Sequence, residues 1–273
     1  MTHPFLRAAA VTAVAEDRAS VTFLPEWVQG RGVYGGVVSA AVVNAALRRT
    51  DPRRRLRSLS LSFCAPARPG SATIVTRVVR EGALVSTLAA EVVGDDGGVI
   101  ASALLTCAAP RALPVEVAPF ASLCRATMPR ATPAAELEPI PVDLPLMPTF
   151  AQHLKFRFAL GDPPGSSGES RVGAWLRFRE PGVTSLDEAV AVGLLDALPP
   201  ALLSTLSALR PAASVEWHVQ FFAGLPRPLA AAEDVLVTAE TSVAHEGYAE
   251  ELDRLWTTDG RLLAQAHQTI ALL

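Results

Sequence analysis

The rhythm of apolar and polar positions changes several times along the chain. Residues 37–47 are the most uniform stretch: after Gly35-Gly36, only Ser39 and Asn44 interrupt a run of valine, alanine and leucine. A helix with no polar face is one wrapped by protein on nearly all sides. It stops at Arg48-Arg49-Thr50-Asp51-Pro52, cations in a last turn followed by proline. Around it the period is two. Ala8–Ala15 and Ser20–Leu24 read as short strands, followed by a glycine-containing loop over Pro25–Val33. Leu56–Cys64, Ala72–Arg80, Leu84–Val93 and Val99–Ala108 read as four more strands, and Asp95-Asp96-Gly97-Gly98 joins the last two as a hairpin.

Prolines at 110, 114, 119, 129, 133, 139, 141, 145 and 148 then mark 111–148 as an extended linker, with a short helix near Phe120–Ala126. Beyond it the first pattern returns. Phe150–Leu160 and Arg171–Arg179 read as strands. Ser185 and Glu188 form a capping box for a helix through about Leu198, stopped by Pro199-Pro200. A helical Ala201–Leu209 segment and the strands Ala212–Phe222, Asp234–Ala244, Tyr248–Thr257 and Arg261–Leu272 complete the chain. Strand, strand, helix and four strands occur twice, and the last hairpins match residue by residue, Asp96–Thr106 over Asp259–Thr269. The expectation is an α+β chain of two units, 1–110 and 149–273, each a curved antiparallel sheet around one buried helix.

Differences between the copies point to chemistry. Leu105 of the first corresponds to Gln268 of the second, and Asn44 falls near Asp196. Asp196 stands in the apolar context Leu194-Leu195-Asp196-Ala197-Leu198. Either it borders a cleft, where burial raises its pKa toward a general-base value, or it sits in water at a helix end. Gly35-Gly36 likewise opens the first helix for one of two uses. The bare, positive helix end receives a ligand oxygen, or the helix packs closely on a sheet.

Composition narrows the field. The net charge of −3, from 24 basic and 27 acidic residues, argues against a general nucleic-acid binder. No run of 18 uncharged apolar residues suits a membrane span, and Met1–Arg7 lacks the layout of a secretion signal. Cys64, Cys107 and Cys124 fit neither a disulfide framework nor a metal site, and are expected to be small buried hydrophobes in a cytoplasmic protein. Lys155 is the only lysine, so Schiff-base chemistry rests on it or is absent. Arg48, Arg49, Arg53, Arg54, Arg55 and Arg57 form a basic patch, fit for phosphates or simply solvated. His218 shares the strand parity of Ser214, whereas His267 opposes Gln268.

Val33-Tyr34-Gly35-Gly36 with its Ala/Val helix, Leu59-Ser60-Leu61-Ser62-Phe63 with Pro66 and Pro69-Gly70, and Arg80-Glu81-Gly82 with Ser86 resemble the N-terminal half of the bacterial acyl-CoA thioesterase II family. The resemblance spans nearly the whole chain and implies the double hotdog fold, hydrolysis of acyl-CoA without metal or other cofactor, and a homo-oligomer, dimer or tetramer. It implies an Asp, a Thr and a Gln that activate water. Here these fall on Asp196, Ser214 (serine in place of threonine, hydroxyl kept) and Gln268. Tyr34, Gly35 and Gly36, at the bare opening of the first helix, are read as the substrate contact, for an oxyanion or the pantetheine arm. A hotdog hydratase and a non-catalytic acyl-CoA or lipid binder are the alternatives.

Overall fold

One strand order is laid down twice. The computed structural model describes residues 2–111, 114, 124–144, 147–222 and 224–273. Its first unit contains α1 (Pro4–Ala8), β1 (Val11–Ala13), β2 (Arg18–Phe23), α2 (Gly35–Leu47), β3 (Arg55–Phe63), β4 (Gly70–Glu81), β5 (Val85–Gly94) and β6 (Val99–Ala108). The second contains β7 (Leu154–Gly161), β8 (Arg171–Phe178), α3 (Glu188–Leu195), β9 (Ala212–Phe221), β10 (Val235–Glu240), β11 (Tyr248–Trp256) and β12 (Leu262–Leu272). These strands form one antiparallel sheet in the order β1-β2-β4-β5-β6-β3-β9-β12-β11-β10-β8-β7, with Ala244–His245 paired to β11 off that path. Outward from the centre, each half runs third, sixth, fifth, fourth, second, first strand of its unit. The halves join at β3 and β9, where Trp217 faces Leu61 and Val219 faces Leu59. Helices α2 and α3 pack on each other, α2 over β4 and β5, α3 over β11 and β12. The architecture is a double hotdog of the α+β class.

The apolar run of α2 is buried along its length, Ser39 included. Its N-terminus meets the C-terminus of α3, where the Tyr34 hydroxyl donates to the Gly193 carbonyl at 2.7 Å. An aromatic seam runs outward from there and ties the units together. Tyr34 stacks on Phe150 with centroids 3.9 Å apart, Trp27 stacks on His153 at 4.2 Å, and Phe5 packs on Phe178 at 5.0 Å. Each such pair adds about 0.5–1.5 kcal/mol beyond the area it buries.

Several local expectations are corrected. Ala8–Ala15 is not one strand: Pro4–Ala8 is helical, started by proline and capped by His3 Nδ1 on the Phe5 amide, and only Val11–Ala13 is extended. The second helix is capped by Asp187, whose carboxylate accepts from the Val190 amide at 2.8 Å. Ser185 cannot cap it, because Ser185-Leu186 is held extended by pairing with Arg227-Pro228. That helix ends at Leu195, leaving Asp196 at its C-cap. Ala201–Leu209 contracts to a 3-10 turn at Ala201–Thr205, and Asp234–Ala244 splits after Glu240. The helix expected near Phe120–Ala126 lies largely outside the described residues. No described helix is long and apolar enough to cross a membrane.

Candidate active site

Asp196 reaches across from the end of α3 to the start of α2. A methyl group on Gly35 would stand 2.9 Å from Asp196 Oδ2 and 3.0 Å from the Phe63 ring, so the missing side chain is what admits the carboxylate. Burial pushes the Asp196 carboxyl up to about 7, the Gly36 backbone amide opposes that by bonding it, and the Glu251 charge adds to the rise. A C-cap is a poor place for a carboxylate on its own helix, but here it faces the positive end of another. The residue remains partly accessible.

Ser214 and Gln268 come together on the inner face of the sheet. The Ser214 hydroxyl donates to Gln268 Oε1 at 2.6 Å. Gln268 Nε2 in turn donates to Glu251 Oε1 at 2.8 Å and to Asp253 Oδ2 at 3.1 Å. Glu251 Oε2 also accepts from the Ala201 amide at 2.5 Å and from the Thr241 hydroxyl at 3.1 Å. Glu251 and Asp253 are buried, whereas Ser214 and Gln268 keep partial exposure. The charge of Asp196 is felt at Asp253, and that of Glu251 at Asp196, so all three carboxyls share one interior region.

The matching end of the first unit is built differently. Leu56 pairs with Cys107 and Leu88 with Leu105, at the places where Ser214 pairs with Ile270 and Glu251 with Gln268. Ala90 faces Ala103 where Asp253 faces Ala266. Hence Leu56, Leu88, Ala90 and Leu105, all buried, stand where the second unit has Ser214, Glu251, Asp253 and Gln268. Counted from the N-caps Tyr34 and Asp187, Asp196 matches Val43 rather than Asn44, whose side chain donates to the Ala9 carbonyl. Gly35 matches Glu188, a buried side chain filling the space that Gly35 leaves open at the other end. The polar constellation exists at one end only.

Other expected candidates lie elsewhere. Tyr34 is fully buried, with its hydroxyl committed to Gly193, so its surroundings are those of a packing residue rather than a ligand contact. His218 does not share the face of Ser214. A β-bulge between Ser214 and Glu216 adds a residue and reverses the parity, which turns His218 outward to Ser60 Oγ at 2.7 Å. His218 and His267 line a shallow outer groove of about 580 Å³. The basic patch is partly neutralised, Arg49 pairing with Glu16, Arg53 with Asp51 and Arg54 with Glu81. Only Cys107 is buried, its thiol pushed up to about 11 by desolvation, while Cys64 and Cys124 are exposed at a strand end and in the linker. Sequence reasoning missed Glu251 and Asp253. The shift that carries Leu105 onto Gln268 carries Leu88 and Ala90 onto them, and would have exposed the change from apolar to acidic.

Comparison with known proteins bears on this geometry. The model of the acyl-CoA thioesterase C-terminal domain matches residues 127–272, and that of the acyl-CoA thioesterase N-terminal domain matches residues 23–108. No curated protein matches the sequence. A conserved hot dog fold protein of unknown function from Alicyclobacillus acidocaldarius superposes with a TM-score of 0.85 at 23% identity, covering 100% of this chain and 99% of that one. A candidate thioesterase II from Thermobifida fusca gives 0.80 at 22%, covering 100% and 98%. An acyl-CoA thioesterase II from Mycobacterium marinum gives 0.74 at 18%, covering 98% of each chain. At these identities the structures speak for the fold alone, and it is the two domain models, covering both units, that make this chain a member of the acyl-CoA thioesterase family.

Proposed function

We propose that this protein hydrolyses acyl-CoA thioesters by direct attack of water, with Asp196 as general base and Ser214 and Gln268 as the groups that orient the water. The observation that carries this reading is the placement of Asp196, Ser214 and Gln268 at one end of the helix pair, at positions that are apolar at the other. The Ser214 proton is committed to Gln268, so Ser214 offers the water a lone pair and accepts one of its hydrogens. Asp196 accepts the other. The water oxygen is then left with its free lone pairs toward the thioester carbon. Attack forms the C–O bond as the proton passes to Asp196, the developing oxyanion lies toward the positive end of α2, and collapse breaks the C–S bond while Asp196 returns the proton to the departing thiolate. An acid with a pKa near 7 serves both transfers.

A thiol-release assay over acyl-CoA chain lengths tests the proposal, and a wild-type protein that releases no thiol from any of them overturns it. Two substitutions sharpen the assignment. Ser214→Thr keeps the hydroxyl and is expected to stay within about tenfold of wild type, whereas Ser214→Ala falls about 10- to 100-fold in kcat. Gly35→Ala pushes the Asp196 carboxylate aside and is expected to cost at least about tenfold in kcat/KM, with the urea midpoint nearly unchanged because the carboxylate can yield. Both His218 and His267 face the outer side of the sheet, so neither pairs with Asp196 as the histidine of a hydratase would.

A further inference from the structure

Two buried acids behind Gln268 take no part in the chemistry just described. Glu251 is 1% exposed and Asp253 3%, and neither forms an ion pair with a described Arg, Lys or His. They face Asp196 from α3, Gln268 from β12, Trp217 from β9, the Ala201 amide and Thr241, and, among the described residues, are paired with no cation. Two carboxylates cannot both stay ionised side by side in such a place. The hydrogen bonds distinguish them. Glu251 accepts from Ala201, Thr241 and Gln268, three donors suited to an anion. Asp253 accepts from Gln268, has the Trp217 indole N–H beside it and lies against Glu251; with fewer donors than Glu251, it is the one left to carry the proton and donate it to Glu251.

The consequence falls on the Gln268 amide. A terminal amide can turn over, exchanging its oxygen and nitrogen. Here both Nε2 hydrogens have carboxyl acceptors, and the flipped amide would press its oxygen against those same acceptors. We propose that Glu251 and Asp253 are positioning residues that act as a one-proton carboxyl pair, locking Gln268 so that its Oε1 always faces Ser214 and the Ser214 hydroxyl always offers the reacting water a lone pair. The inference rests on the hydrolase reading above. Burial raises the proton affinity of both acids, in line with a shared proton. Because Glu251 keeps its negative charge near Asp196, the pair also holds the base at a higher pKa than burial alone would give.

The test compares four variants in acyl-CoA hydrolysis over pH. Glu251→Leu with Asp253→Ala installs the residues that the first unit carries at the matching positions, and is expected to melt cooperatively. Its kcat should fall about 10- to 100-fold, and the midpoint of the kcat/KM profile should move toward acid by about half a unit or more. Glu251→Gln should shift the midpoint the same way. Asp253→Asn mimics the protonated acid, donating to Glu251 and accepting from Gln268, and should recover at least about tenfold of what Asp253→Ala loses. A double variant with wild-type rate and midpoint overturns the proposal, as does Asp253→Asn no better than Asp253→Ala. The wild-type infrared spectrum should also show a protonated-carboxyl band at about pH 9, where Asp196 is ionised, that Asp253→Asn removes, and its absence from the wild type overturns the pair. That band is read without turnover, so an inactive wild type would overturn the hydrolase reading and leave the carboxyl pair still open to test.

Discussion

Asp196→Asn is expected to lower kcat/KM by about 10²- to 10⁴-fold, because it removes the proton acceptor while keeping size and shape. The same variant should be more stable than wild type at pH 8. The Asp196 carboxyl titrates at about 7 in the folded protein against an ordinary 3.8, so between those values the folded chain holds a proton that the unfolded chain has released. Stability from this group is full below about pH 4 and is lost as pH rises through about 7. Asn carries no charge at any pH and escapes that loss. Burial of a partly accessible carboxylate supports a gain of about 1–3 kcal/mol at pH 8, shrinking to nothing near pH 4. Urea unfolding at the two pH values measures it, and equal stability at pH 8 would show the carboxylate to be well solvated. Wild-type hydrolysis should rise through a midpoint near pH 7 as Asp196 ionises, and the rise should be absent from whatever activity the variant retains.

Gly36→Ala is expected to destabilise the protein by about 2–4 kcal/mol, the reverse of the usual gain when alanine replaces glycine in a helix. A methyl group at position 36 would stand 2.5–2.7 Å from the Tyr34 ring and hydroxyl. That ring cannot retreat, since Phe150 is stacked on it and its hydroxyl is held by Gly193. Moving it breaks the bond and leaves a buried carbonyl unpaired. The thermal midpoint should fall by roughly 5–10 °C. Tyr34→Leu in the same chain should recover part of the loss, because the two substitutions share one contact and are not additive. A Gly36→Ala protein as stable as wild type would mean that the helix end shifts freely.

The duplication was legible because periodicity, turn residues and the matched final hairpins all agreed, and each came from local sequence. Asp196 and Gln268 stood out because a polar residue replaced, or interrupted, apolar neighbours. What stayed hidden depended on contacts between distant segments. Pro4–Ala8 has too few residues to show a period, and its helix rests on Phe5 packing against Phe178 and the bare Gly193. Ser185 and Glu188 have capping-box spacing, but the partner strand at Arg227-Pro228 takes Ser185 away. The bulge beside Ser214 leaves no turn residue to announce it, so strict alternation put His218 on the wrong face. Glu251 and Asp253 alternate with Leu252 and Arg254, and a strand with acids at every second position resembles one with its polar side in water. Only the sheet decides which side faces in.

Pairing β3 with β9 makes the two units neighbours in one sheet, and a single chain makes them unequal. Two identical subunits docked in this way would carry every buried acid twice, once at each end of the helix pair. Here Asp196, Glu251 and Asp253 crowd one end, while the other has the buried Glu188 beside Leu56, with Leu88, Ala90 and Leu105 keeping it mostly apolar. That mostly apolar end supplies cohesion that the acid-rich end gives up. Fusion of the halves thus separates two demands that symmetry would force onto the same residues.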